Sequence, residues 1–206
     1  MALNPNLGQG GTGLVPGGDP NDLVAFLTAL STRARTIPIP LTSALLVSSG
    51  ALMGAFADGA SSVPGTQLTD SKTGCVRWNN HATPAAIAVN VPMPSDLDDA
   101  SDVVFHALVS KVGATVGDAT KLTVGAFEHT AGALHDADSD MGGDTGAVTG
   151  DAASKTVSEL TLTLAAANIH AVPSSLCLTI KPKAGTLGTD DFLLHSAWLE
   201  VTTKQV

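Results

Sequence analysis

The sequence predicts an all-β protein: a jelly-roll-like two-sheet sandwich with an extended N-terminal arm and one short helix. Three observations lead there. Of 19 acidic residues only Glu128, Glu159 and Glu200 are glutamates, and Asp favours turns where Glu favours helix interiors. Apolar and polar residues alternate with period two through most of the C-terminal half. Clusters of Gly, Pro, Asp and Asn divide the chain into about eight β segments, without the recurring helical patterns of a βαβ architecture.

The arm comes first. Residues 1–20 hold six glycines and three prolines with no hydrophobic period, a composition that does not fold alone but orders against a neighbour. Gly8-x-Gly10-x-x-Gly13 occurs within it. The dinucleotide fingerprint needs a preceding strand and a following helix, and too few residues precede Gly8 to supply the strand. Asp19-Pro20-Asn21-Asp22 then starts a helix, with a capping residue, an early proline and acids at the positive end of the dipole. Leu23, Phe26, Leu27 and Leu30 follow at helical spacing, and Arg33 and Arg35 stand at the expected C-terminus. This divides the chain into an arm and helix over residues 1–35 and a sandwich domain over 36–206.

Within the sandwich, Ile37, Ile39 and Leu41 alternate with Pro38, Pro40 and Thr42 as an edge-like extended start. Residues 45–47, 51–56, 75–78 and 85–91 read as short strands. Residues 61–74 read as a polar connection, with Pro64-Gly65 and Lys72-Thr73-Gly74 as turn signals. The clearest strands are 102–111, 121–129, 156–164, 176–181 and 192–202. In the last, Phe192, Leu194, Ser196, Trp198 and Glu200 oppose Leu193, His195, Ala197, Leu199 and Val201. Trp78 and Trp198 are expected as core or inter-sheet anchors.

Composition excludes several function classes. With 10 Lys+Arg against 19 Asp+Glu, a formal charge of −9 and no basic cluster, the chain lacks the cations that bind nucleic acid. Aromatic residues make up 3% and Tyr is absent, so the chain lacks the faces that stacking platforms for sugars or single-stranded nucleic acid need, which argues against a sugar-lined cleft. Residues 36–57 carry no charge, yet Pro38, Pro40, Gly50 and Gly54 break the stretch as a membrane helix, and no membrane partner is expected. The start, Met1-Ala-Leu-Asn-Pro5, shows no signal-peptide pattern. Cys75 and Cys177 make no disulfide framework; they read as buried free thiols, with a single bridge between them left open.

The sharpest local motif is Asp136-Ala-Asp138-Ser-Asp140-Met-Gly142-Gly143-Asp144. Alternate carboxylates followed by glycine can wrap Ca²⁺, so Asp136, Asp138, Asp140 and Asp144 form a candidate calcium loop. The glycine falls one place late for an EF-hand and no glutamate follows at the twelfth position, which leaves a solvated loop as the alternative. No other cofactor is indicated. The six histidines, His81, His106, His129, His135, His170 and His195, show no metal-ligand spacing. Neither a nucleophile elbow nor a P-loop is present, and no catalytic residue is assigned.

Pro94-Ser-Asp96-Leu-Asp98, the run 102–108, Leu122-Thr-Val-Gly-Ala-Phe127, the run 156–164, Leu178-Thr-Ile-Lys-Pro182 and Gly188-Thr-Asp-Asp-Phe-Leu-Leu194 together resemble β-sandwich virion proteins of tailed bacteriophages. Jelly-roll capsid decoration (cement) proteins are the particular comparison. The resemblance spans about residues 75–204, is one of strand pattern, and carries no functional residue across. It implies a structural, non-enzymatic homotrimer on the capsid exterior, assembled in the host cytoplasm and bridging subunits of a major capsid protein. A tail-associated or receptor- or glycan-binding sandwich is the alternative, with an esterase-like or metal-dependent enzyme and a bacterial surface-layer sandwich as further readings.

Overall fold

The computed structural model describes residues 32–57, 62–69, 73–79, 82–113, 119–131, 141–149, 156–165, 169, 174–184 and 190–204. The strands are β1 (Thr32–Pro38), β2 (Leu45–Leu46), β3 (Gly65–Thr69), β4 (Thr73–Trp78), β5 (Ile87–Pro92), β6 (Val103–Val112), β7 (Ala119–Thr120), β8 (Leu122–Thr130), β9 (Gly143–Asp144), β10 (Val148–Thr149), β11 (Ser158–Leu164), β12 (Ser174–Pro182) and β13 (Asp191–Lys204), with a 3-10 turn at Leu41–Ser43.

They form two antiparallel sheets. The larger runs β11-β6-β13-β4-β3, with β1 also on β13; the smaller runs β2-β5-β12-β8-β9; β10 and β7 make a separate ribbon. From β4 onward most long connections pass from one sheet to the other, so strands adjacent in sequence mostly face each other across the core. That is a jelly-roll-like sandwich.

Period-two alternation builds the core. Val103, Phe105, Ala107 and Val109 of β6 face Leu122, Val124 and Ala126 of β8 and Leu176, Leu178 and Ile180 of β12, all essentially inaccessible to water. Removing this much aliphatic surface from water, at roughly 25 cal/mol per Å², is the main stabilising term. Trp78 anchors one end, edge-to-face with Phe192 at 6.1 Å.

The long strand β13 organises the larger sheet. It pairs with β6 along one edge; along the other it pairs with β4 over Phe192–Leu194 and with β1 over Trp198–Lys204. Between those two partners the ladder slips at His195, a β-bulge. One extra residue reverses the alternation beyond it. Phe192 and Leu194 face inward before the bulge, and Ala197, Leu199 and Val201 after it. Trp198, expected inside with Phe192 and Leu194, is therefore on the outer face and partly exposed.

Three further expectations change. Thr32–Arg35, placed at the helix C-terminus, are strand paired with Val201–Lys204; backbone pairing to a long central strand outweighs the modest preference of cations for a helix end. The rest of the expected helix and the arm, including Gly8, Gly10 and Gly13, lie outside the described residues, and the boundary drawn at 35/36 falls within β1. Gly65–Thr69, read as part of a polar connection, is a strand against β4, and Thr73-Gly74 belong to β4 rather than to a turn. Residues 51–56 contribute only single bridges at Leu52 and Ala55. Residues 36–57 are strand, 3-10 turn and loop, and among the described residues no helix is long and apolar enough to cross a membrane.

Candidate functional site

The outer face of the larger sheet carries a row of side chains across four strands. Strand register sets Thr161 (β11) beside His106 (β6), His106 beside Trp198 (β13), and Trp198 beside Pro38 (β1). The His106 and Trp198 rings stack, 5.1 Å between centroids and 6° from parallel. His106 Nδ1 donates to Glu159 Oε1 at 2.7 Å. Pressed against the indole, His106 keeps its Nε2 buried without a hydrogen-bond partner among the described residues. The ring pair is thus fixed by stacking and by one charge-assisted bond, and its position costs little entropy on binding. Thr161, Thr163, Glu159, Glu200 and Thr36 stand exposed around it.

A second feature follows from the bulge. Where β13 exchanges β4 for β1, the sheet opens into a cleft of about 330 Å³ lined by Leu41, Thr42, Thr66, Gln67, Leu68, Gly74, Cys75, Val76 and His195. His195 Nε2 lies 2.8 Å from Ser110 Oγ. This resembles a nucleophile–base pair but lacks what acyl transfer needs. Ser110 is 2% exposed, and His195 Nδ1 is buried with no hydrogen-bond partner among the described residues, hence no carboxylate to orient the ring. Burial also lowers the His195 pKa, which keeps the ring neutral at neutral pH. The pair is a structural contact at the bulge.

Of the candidate calcium ligands, Asp136, Asp138 and Asp140 lie outside the described residues. Asp144 is in β9. Its carboxylate accepts from Lys183 Nζ at 2.9 Å and from Thr123 Oγ1 at 2.7 Å, and Lys121 Nζ stands 3.6 Å away. Those bonds, Lys183 first, hold its pKa below the ordinary carboxylate range. Among the described residues, no group of three or more His, Cys, Asp or Glu could hold a metal ion. Cys75 in the larger sheet and Cys177 in the smaller are both free thiols, and burial raises the Cys177 pKa, making it a weak nucleophile. The Trp198–His106 pair was not legible as a site, because the bulge hides which face of β13 is outward.

Fold and site together define a jelly-roll-like β-sandwich that carries an indole–imidazole stack on the outer face of its larger sheet. No protein-family profile matches the chain, and no curated protein does. Among solved structures it is similar to a xylan-binding module, CBM15, at 12% identity and TM-score 0.43, covering 82% of this chain and 97% of that one. It is similar also to the family 30 carbohydrate-binding module of a Clostridium thermocellum cellulosomal cellulase, at 8% identity and TM-score 0.43, covering 81% and 96%. A third likeness is to the enzymatically active domain of bacteriophage CBA120 tailspike protein 4, at 7% identity and TM-score 0.37, covering 85% of this chain and 19% of that one. At these TM-scores the likeness is loose and assigns no residue a role.

Proposed function

We propose that the chain is a non-catalytic binding module that recognises glycan through the outer face of its larger sheet, in a tail-associated or receptor-binding setting. The observation that carries this reading is the row Thr161–His106–Trp198–Pro38. Sugar rings present C–H faces that favour an aromatic or apolar surface and hydroxyls that need polar partners close by. Here one fixed indole is surrounded by three threonines and two carboxylates on a sheet, a rigid element that holds their spacing. Replacing Trp198 by Ala removes the anchor. Binding of the full chain to its strongest partners on a glycan array falls by about tenfold or more, while the urea midpoint stays close to that of the parent. Unchanged glycan binding by Trp198→Ala contradicts the proposal.

A second reading, a homotrimeric capsid decoration protein bridging major capsid subunits, draws support from a different flank. Leu45, Val47 and Leu52 are 39%, 52% and 68% exposed around β2, with Leu45 bridged to Leu52. A closed oligomer buries such a cluster around its axis. On this reading sedimentation velocity gives a trimer at micromolar concentration that Leu52→Lys dissociates; a monomer of the parent chain removes the reading.

A further inference from the structure

We infer that the glycan recognised beside Trp198 carries a free amino group, held as its ammonium by Glu200, so that the ligands are glycans containing unacetylated amino sugars. The inference rests on the glycan reading above and extends it to the chemical class of the ligand and to the residue that selects it.

Glu200 lies on the same face as Trp198. Beyond the bulge the buried residues of β13 include Ala197, Leu199 and Val201. Trp198 and Glu200 alternate with them, so both point outward from the larger sheet. Two residues at about 3.3 Å each set their backbones roughly 7 Å apart, a span that one pyranose with its substituents bridges. Register places Val104 of β6 on one side of Glu200 and Thr36 of β1 on the other. Neither can neutralise it. Glu200 is exposed, and its carboxylate makes no hydrogen bond or ion pair among the described residues.

The nearest cations are turned away or already engaged. Arg33 and Arg35 pair with Thr203 and Val201, both buried, and so project from the opposite face of β1. Lys204 shares the outward phase of β13 but is held by Asp99 at 2.7 Å and Asp98 at 3.7 Å. On the other side of the ring pair, Glu159 accepts from His106 and adds a second exposed carboxylate to this face. The Trp198 end is therefore negative, and the π electrons of an indole also attract a cation within about 6 Å. An anionic sugar is repelled there, and a neutral one offers Glu200 only hydroxyl donors. An ammonium donates to the carboxylate in a charge-assisted bond, roughly twice as strong as a neutral one.

The test uses the full chain on an array presenting each amino sugar both as the free amine and N-acetylated, together with amine-free neutral glycans, at a pH that keeps the amine protonated. Free-amine glycans give the strongest signals, and raising NaCl weakens their binding while sparing that of the N-acetylated forms. Glu200→Gln, a neutral replacement of similar shape at an exposed position, removes the preference. Affinity for the free-amine glycans falls by about fivefold or more, one charge-assisted bond being lost, and binding of the N-acetylated forms stays as it was. Equal binding of the two forms, or a Glu200→Gln variant that keeps the preference, overturns the inference and leaves the glycan reading standing. An array on which no glycan binds overturns both.

Discussion

Asp190→Ala destabilises the sandwich by about 3–5 kcal/mol, the cost of leaving a buried charge without its partner. Lys111 is the last inward-facing residue of β6, continuing the row Val103, Phe105, Ala107, Val109. Its ammonium lies 3.0 Å from Asp190 Oδ2, with both side chains 4% exposed. The chain is shaped around this pair. Gly113 has φ of +126°, and a Cβ there would fall 1.8 Å from Asp190 Oδ1, so glycine is required both by the backbone conformation and by the approach of the carboxylate. Urea unfolding of the parent, Asp190→Ala, Lys111→Met and the double variant checks the effect. The two single losses do not add, and the coupling between them is about 1–3 kcal/mol. Additive losses would mean that the contact contributes nothing of its own.

Trp78→Ala costs a similar amount, about 3–5 kcal/mol, for a different reason. The indole is 1% exposed, meets Phe192 edge-to-face, and donates from Nε1 to the Ala85 carbonyl at 2.8 Å. Truncation leaves a cavity between the sheets and an acceptor without its donor. Trp78→Phe recovers most of the volume but not the hydrogen bond, so its urea midpoint falls between those of Trp78→Ala and the parent. A parent-like midpoint for Trp78→Ala would place the indole outside the load of the core. The two tryptophans thus separate cleanly, Trp78 in stability and Trp198 in binding.

How much of this was legible in the sequence depended on whether a strand had one dry face and an unbroken register. β6, β8, β11, β12 and β13 were readable because Val, Leu, Ile and Phe alternate against one core. β3 was not: it is a short strand whose Thr66 and Gln67 resemble a connection, and Pro64-Gly65 supplied a convincing turn signal at its start. The first half of β1 reads as a helix end because Arg33 and Arg35 suit that position, while its end at Ile37 and Pro38 reads as extended; pairing with β13 makes all of it strand. The site was lost at one residue. Alternation carried forward from Phe192 puts Trp198 inside, and only the bulge at His195 turns it out. The run Ala197, Leu199, Val201, with Glu200 between, held the corrective signal: three apolar residues of one phase and a charge in the other. The stack on His106 depends on pairing strands 92 positions apart in sequence, which a local pattern does not report. The Asp136, Asp138 and Asp140 part of the candidate calcium loop lies outside the described residues, and Asp144, the member that is described, is engaged by Lys183 and Thr123.

The central claim is that glycan binds at Trp198, and the chain's two tryptophans allow it to be tested in one spectrum. Each indole gives its own N–H resonance in a two-dimensional ¹⁵N NMR experiment, assigned with Trp78→Phe and Trp198→Phe. Titration with the glycan giving the strongest array signal moves the Trp198 resonance in a saturable way and leaves the Trp78 resonance, locked to the Ala85 carbonyl, where it was. A Trp198 resonance that stays in place as the glycan saturates the protein would contradict the account.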